Sequence, residues 1–459
     1  MANFRADLQT YGPFGHDNKV FEVPMIANKN GEVVTTENPF PVTITQAIGY
    51  SNRSTVNDAF GRLRVSNPHT LFDSSLRYGD NTDKWSESET DNSGNSGSAH
   101  NASQGLMDIT LGTSSGDEII RETKRVFSYQ PGKSLLALNT FVMNEGKTNL
   151  RQRVGYFGAE NGVFLELDGT DLYIVKRSKV TGSVVDTKIA QANWNIDTMD
   201  GDADTANPSG YTLSIDKAQI FWSDFEWLGV GSVRVGFVVN GQFIPVHAFH
   251  HANTSDAAYD GLSTYITTAT LPCRYEITNT GATGSASTLK QICSSVMSEG
   301  GYNNTSISRS VSTAITGKNI SDTADTPLIS IRLRSGRTDG VVVPMFADLY
   351  GLQQAAFQYK VFTNVTSLTG ASFVSAGSDS NIEYDLSATA LTGGNKIMEG
   401  VFVGDTKGGA SNIDFAHLNH QLQLTRSLGS STGDIFTLAI RATTNNDDAV
   451  GALNWQEHS

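Results

Sequence analysis

The sequence predicts an all-β protein assembled from antiparallel sandwiches, and three observations carry that expectation. Turn-forming pairs separate β-rich runs: Asn240-Gly241 lies between Val233–Val239 and Phe243–Ala248, and Asp168-Gly169 between Phe164–Leu167 and Leu172–Val175. Both central residues of a type I′ turn need positive φ, so Asn-Gly in that setting is a strong hairpin signal. Apolar residues also recur at every second position, as at Val233, Val235, Phe237 and Val239, which is the period of a half-buried strand. Finally, the 44 glycines are scattered without a Gly-X-Y period, which excludes collagen and reads as turns joining many short strands.

At 459 residues the chain exceeds what one hydrophobic core usually serves, so several domains are expected. Residues 1–75 read as an extended N-terminal arm. Pro13, Pro24, Pro39, Pro41 and Pro68 block helices there, and the scattered apolar residues cannot form a core alone. Phe60, Leu63 and Val65 are the expected anchors of this arm on the body or on a neighbouring subunit. Residues 76–305 read as a first sandwich, with strands at Leu135–Val142, Arg151–Phe157, Ala218–Glu226, Arg274–Thr278 and Ile292–Ser298 beside the two hairpins. So many short strands, with no room for crossover helices, argue an antiparallel arrangement. The Ser/Gly/Asn-rich stretch Asp91–Gly105 reads as a mobile surface loop.

Residues 306–459 read as a second β-sandwich behind a Thr/Ser/Asn-rich connector at 303–326. Its strands are expected at Leu328–Leu333, Gly340–Met345, Gln358–Asn364, Asn381–Leu386, Lys396–Val403, Gln421–Thr425 and Ile435–Ala442. Gly351–Phe357 is a candidate helical turn. No short internal repeat is present, which argues against solenoids and propellers.

The formal charge of −14, with no basic block, disfavours a nucleic-acid partner. The densest basic stretches, Arg121–Arg125 and Arg332–Arg334 with Arg337, alternate as on a solvated sheet face. Cys273 and Cys293 are too few for a disulfide framework and read as buried thiols. The N-terminus lacks a signal-peptide core, and no run reaches the ~18 apolar residues of a membrane span, so synthesis in the cytosol without membrane insertion is expected.

Four groups of residues could carry chemistry. Asp224 and Glu226 stand two apart on an expected strand, which puts both carboxylates on one face about 7 Å apart. With Trp222, Trp227 and Tyr259 they make a candidate glycan site, and a carboxylate pair is also what a glycosidase needs. The competing reading, which is favoured, is a solvent-facing pair or a structural ion pair from Asp224 to Arg234. Asp197, Asp200, Asp202 and Asp204 cluster in a Gly-containing loop and are candidate calcium ligands, although the spacing matches no EF-hand; a solvated acidic loop is the alternative. His247, His250 and His251 could ligate zinc or nickel, but adjacent strand residues point to opposite faces, so ordinary packing is favoured. No phosphate-binding loop, Cys-x-x-Cys pair or Gly-x-Ser-x-Gly elbow is present, and no enzymatic activity and no obligatory cofactor is expected.

Three motifs occur together: Asp58-Ala-Phe-Gly-Arg-Leu-Arg-Val-Ser66 continuing through Thr70-Leu-Phe-Asp73; Phe225-Glu-Trp-Leu-Gly-Val-Gly231 through Val233-Arg-Val-Gly-Phe237, with His247 and Phe249–Asn253; and Leu271-Pro-Cys-Arg-Tyr-Glu276, leading to Lys290–Cys293 and Glu299–Tyr302. Their combination resembles a family of structural proteins from marine and cyanobacterial tailed phages, over roughly residues 55–400. The first sandwich is also similar to a concanavalin- or laminin-G-type jelly roll. The resemblance implies a non-enzymatic virion protein, made in the host cytoplasm, that partners with itself and other virion proteins. A tail or fibre-type appendage is the favoured position, and by analogy with fibres a trimer is the favoured assembly. A capsid-surface decoration, a host-glycan receptor module and, less favoured, a depolymerase are the alternatives.

Overall fold

The computed structural model describes residues 3–5, 22–24, 58, 68–202, 204–254, 263–303, 305–405, 410–415, 418 and 422–458. The chain divides into two compact units, residues 1–54 and 55–459. Within the first, Asn3–Arg5 pairs antiparallel with Glu22–Pro24. The rest of the expected arm up to residue 67, apart from Asp58, falls outside the described residues, and so do its anchors Phe60, Leu63 and Val65.

The larger unit opens with a concanavalin-like jelly roll in which a seven-stranded and an eight-stranded antiparallel sheet enclose one core. The seven-stranded sheet runs Val185–Ala190, Asp171–Ser178, Gly162–Asp168, Leu150–Phe157, Cys273–Asn279, Glu118–Thr123, Trp85–Thr90. The eight-stranded sheet runs Gln242–Phe249, Val233–Val239, Gln219–Phe225, Ser134–Val142, Ser287–Glu299, Leu106–Leu111, Gly97–Asn101. His69–Ser75 joins it along Ser287–Glu299, so the end of the expected arm is a strand of the sandwich. The cause is burial: Leu71 and Phe72 enter the core. Both expected hairpins form, and Asn240 and Gly241, at φ 52° and 77°, make the type I′ turn.

Aromatic rings link the two sheets. Phe72 contacts Trp85 and Phe127 at 5.9 and 5.0 Å between centroids, and Tyr156 meets Phe225 edge-on at 5.1 Å. The stretch Asp91–Gly105 is not a free loop. The Asp91 carboxylate accepts hydrogen bonds from the backbone N–H groups of Ser93 and Ser96, and Gly97–Asn101 pairs with Leu106–Leu111.

A second sandwich follows. Its six-stranded sheet runs Val374–Ser375, Ile382–Asp385, Thr326–Leu333, Ile435–Ala442, Ala356–Val365, Asn395–Val403. The facing five-stranded sheet runs Ile307–Ser312, Asp447–His458, Val341–Gly351, Ala410–Asp414, with Lys318–Ile320 also pairing on Asp447–His458. The expected connector thus supplies two strands. The C-terminal strand, which the sequence reading overlooked, is central to this sheet and alternates strictly between buried and half-buried positions, with Trp455 fully buried. Its Glu457 is held inside by Ser380 Oγ at 2.5 Å, the Trp455 indole N–H at 2.9 Å and the Asn381 N–H at 2.8 Å.

Two further expectations are corrected. Gly351–Phe357 contains no helical turn: one strand ends at Gly351 and the next begins at Ala356, with a local bond from the Ala355 N–H to the Gln353 carbonyl. Leu422–Thr425 is not in a strand but lies against the first sandwich. There Gln423 Nε2 donates to the Val126 carbonyl at 2.7 Å, the Arg426 N–H to the Lys124 carbonyl at 2.9 Å, and the Leu428 N–H to Ser86 Oγ at 2.9 Å.

Candidate functional site

The acidic pair takes two different environments. Asp224 lies on Gln219–Phe225 opposite Arg234 of the next strand, and its carboxylate accepts from the Arg234 guanidinium and from Ser134 Oγ. It is fully buried. Glu226 stands just beyond the strand end. Its N–H donates to the Ser232 carbonyl at 2.9 Å and its Oε2 accepts from the Ser232 N–H at 3.1 Å, closing the loop 226–232. Burial pushes its carboxyl above the ordinary range, opposed by the Ser232 hydrogen bond. The strand ends between them, so the two carboxylates do not share an open face.

Of the aromatic residues of the candidate glycan site, Trp222 is inward and Trp227 partly so. Trp222 is 1% exposed, and its indole N–H donates to the Phe237 carbonyl at 3.2 Å. A ring so enclosed offers no face to a sugar. Trp227 is half-buried, bonded to the Ile266 carbonyl and edge-on to Tyr129 at 6.0 Å. Tyr259 lies outside the described residues.

In the aspartate loop the carboxylates serve the backbone. Asp197 accepts from the N–H groups of Met199 and Ser209 at 3.0 and 2.9 Å. Asp200 accepts from Thr198 Oγ1, the Asp202 N–H and Asn207 Nδ2, and Asp204 from the N–H groups of Ala206 and Asn207. Asp202 is exposed. These bonds aim the acids at separate amides, and among the described residues no three His, Cys, Asp or Glu side chains gather as metal ligands. The loop is therefore explained by turn-stabilising carboxylates.

The three histidines also part company. His247 Nδ1 accepts from the Asn195 N–H at 3.2 Å, and His250 Nδ1 meets Ser232 Oγ at 3.0 Å. His251 is buried, stacked on Tyr265 at 3.8 Å, with Nδ1 donating to the Gly231 carbonyl at 2.6 Å. That bond fixes the neutral tautomer, which leaves Nε2 to accept from the buried Lys176 Nζ at 3.0 Å.

The largest polar feature was not foreseen. Arg153, Glu166, Arg274, Glu276 and Glu122 alternate with core residues and therefore point to the opposite face of the seven-stranded sheet. There they form a continuous ionic row. Arg426 of the second sandwich binds Glu122 at 2.7 Å, Glu122 binds Arg274 at 3.1 Å, and Arg274 binds Glu276 at 2.8 Å. Glu276 binds Arg153 at 2.9 Å, and Arg153 binds Glu166 at 2.5 Å. Lys188 bridges Glu166 and Asp168 at 2.5 and 3.1 Å, while Arg177 grips Asp186 through two bonds of 2.8 Å. Burial raises the Glu276 carboxyl, but Arg274, Arg153 and Arg151 outweigh it and hold the group below its ordinary range. Three guanidinium groups, of Arg153, Arg177 and Arg274, also cap the stacked pair Phe157–Phe164.

The basic stretches expected on solvated faces are corrected by the same geometry. Arg121 is 3% exposed, bonding Gln291 at 2.7 Å and Glu87 at 3.2 Å. Arg332 pairs with Glu383 at 2.5 Å over the Phe373 ring, while Arg334 and Arg337 bind carbonyls of the 377–379 loop. Cys273 is buried as expected, but Cys293 is exposed, because its position on Ser287–Glu299 faces away from the core.

Two predictions follow from these environments. Burial, with the charges of His250 and Lys176, pushes His247 down to about 4. Between pH 6.5 and 4 the unfolded chain therefore binds a proton that the folded chain refuses, and stability falls on acidification by a margin approaching ~3 kcal/mol. Wild type should lose more melting temperature than His247→Gln between pH 7 and 4.5; equal losses would contradict the assignment. In the row, Arg153→Met removes the cation that Glu166 and Glu276 share and leaves Lys188 on the first and Arg274 on the second. Denaturant unfolding should show a loss of about 1.5–3 kcal/mol. A change within the scatter of surface substitutions would show that the row is dispensable.

No family model matches the chain, and no curated protein matches it. Solved structures do. The carbohydrate recognition domain of Emp47p aligns at 10% identity and a TM-score of 0.30, over 50% of this chain and 97% of that one. The legume lectin-like domain from Entamoeba histolytica aligns at 9% and 0.29, over 50% and 98%. A glycoside hydrolase family 16 endo-glucanase from Bacteroides ovatus aligns at 9% and 0.30, over 49% and 99%. These are likenesses of shape.

Proposed function

We propose that this chain is a non-enzymatic structural component of a tailed-phage particle, a stiff two-sandwich block that assembles with copies of itself and with other virion proteins. The observation that carries the reading is the ionic row: the strongest charges on the seven-stranded sheet are matched to one another and buried, as suits a rigid part. The three sequence motifs that resemble phage structural proteins support the same reading. Asp224, the most enclosed of the candidate catalytic acids, serves Arg234 and Ser134. A reacting carboxylate needs access to substrate, which 0% exposure withholds.

An outermost strand with exposed apolar residues supports the assembly part of the reading. Asn395–Val403 is the outermost strand of the six-stranded sheet, and its Val401 and Val403 are 76% and 67% exposed. Such an edge is a template for further β-pairing. A tail or fibre-type appendage built from trimers is the favoured form of the proposal, ahead of a capsid-surface decoration.

Mass spectrometry of purified parent particles, with light scattering of the recombinant chain, tests the proposal. It expects the chain in stoichiometric amount in the particle and a stable oligomer in solution. Absence from particles, together with release of reducing ends from host polysaccharide, would overturn it in favour of a depolymerase.

A further inference from the structure

The open edge of the second sandwich is confined to a short, regular stretch. Asn395–Val403 has a strand neighbour on one side, Ala356–Val365. Its pairing skips Ile397, and Asn395 Nδ2 donates to Asp83 of the first sandwich at 2.5 Å, so that end is closed. From Met398 to Val403 the pairing is regular. Beyond Val403 the chain turns back, and the Gly404 N–H donates to the Ala355 carbonyl at 2.8 Å. The outward backbone groups of Met398–Val403 therefore have no strand partner among the described residues.

Other outer strands carry guards against pairing. Gln242–Phe249 contains Pro245, which lacks an N–H to donate. Glu87, Glu89 and Asp91 place like charge along and just beyond Trp85–Thr90. Val374–Ser375 is only two residues long. Met398–Val403 has no proline, and its one charge, Glu399, is neutralised from within the strand by Lys396 at 2.6 Å.

We propose that Met398–Val403 pairs antiparallel with the same strand of a second copy, about a twofold axis at Gly400, so that the two six-stranded sheets become one. An antiparallel pair is symmetric, so a strand can partner itself, and here the side chains match. Met398 and Phe402 face inward onto the core of the second sandwich. In this register each lies opposite the other, twice, and the two cores become continuous. On the outer face Glu399 lies opposite Val401. Centring one residue earlier would set two Glu399 carboxylates face to face, and one residue later would set Phe402 against Gly400. Gly400 itself leaves room for the Tyr359 ring of the neighbouring strand, which a Cβ would approach to 2.5 Å. The chain carries a charge of −14, yet this strand brings one Lys and one Glu, so a second copy meets no net charge at the edge.

The pairing rests on the self-assembly part of the proposed function and adds a twofold contact to the threefold one favoured there. Sedimentation velocity of the full chain over a range of concentrations tests it, with Val401→Glu and Val401→Lys beside wild type. Val401 is 76% exposed, and an unchanged melting temperature certifies the fold of each variant. Across the axis Val401→Glu meets Glu399 with like charge at two symmetric places, and Val401→Lys meets it with opposite charge. The expected result is an even-numbered oligomer for wild type, weakened about tenfold or more by Val401→Glu and retained by Val401→Lys. A wild type with no even-numbered species, association undiminished by Val401→Glu, or equal weakening by both variants would overturn the pairing. Such a failure in a chain that is still found in parent particles removes this contact alone, whereas absence from particles removes the virion reading and leaves a paired edge in place.

Discussion

The row of buried charges on the seven-stranded sheet is the constraint on which the rest of the structure depends. Its members are 0–6% exposed at Glu166, Glu122, Glu276, Arg153 and Arg274. A charge so placed is tolerable only when its partners are in position, and those partners come from neighbouring strands. The row therefore enforces register. A slip of one residue at Leu150–Phe157 would turn Arg153 into the core and Val154 out of it, breaking the contacts to Glu166 and Glu276 together. The hydrophobic core supplies most of the driving force, but it is non-directional; the charges say which alignment is correct.

The same row reaches beyond its own sandwich. Arg426 extends it by one member, and the bonds from the Arg426 N–H to the Lys124 carbonyl and from Gln423 Nε2 to the Val126 carbonyl lay the segment 422–428 against the first sandwich. Lys124 and Asp434 approach at 3.9 Å, and Asn395 Nδ2 reaches Asp83 at 2.5 Å. The interface is thus mainly polar and directional, which orients the sandwiches rather than merely joining them.

Much of the fold was legible because its signals are local. Asn240-Gly241 needs only its own backbone conformation, and Ile435–Ala442 announces itself by alternation. The C-terminal strand was missed because its inward positions are occupied by Asp447, Ala449, Gly451 and Glu457 beside Leu453 and Trp455, a pattern that hydrophobic alternation does not register. The strands at Ile307–Ser312 and Lys318–Ile320 read as connector because their pairing partner lies some 130–150 residues downstream. Among the candidate sites, Asp224 and Arg234 could be named together since one turn brings their strands side by side. Lys176 with His251, or Glu122 with Arg274 and Arg426, could not, because only the closed sheets and the docked second sandwich bring them into contact.

The claim that the ionic row helps to join the two sandwiches into a single cooperative body is tested most directly by calorimetry of Arg426→Gln beside wild type. A shared interface makes unfolding cooperative, and its loss uncouples the parts. The account predicts one transition for wild type and a transition at clearly lower temperature for the variant, since the other bonds of the interface remain. Two transitions already present in wild type, or a variant that still melts as one unit at the wild-type temperature, would contradict it.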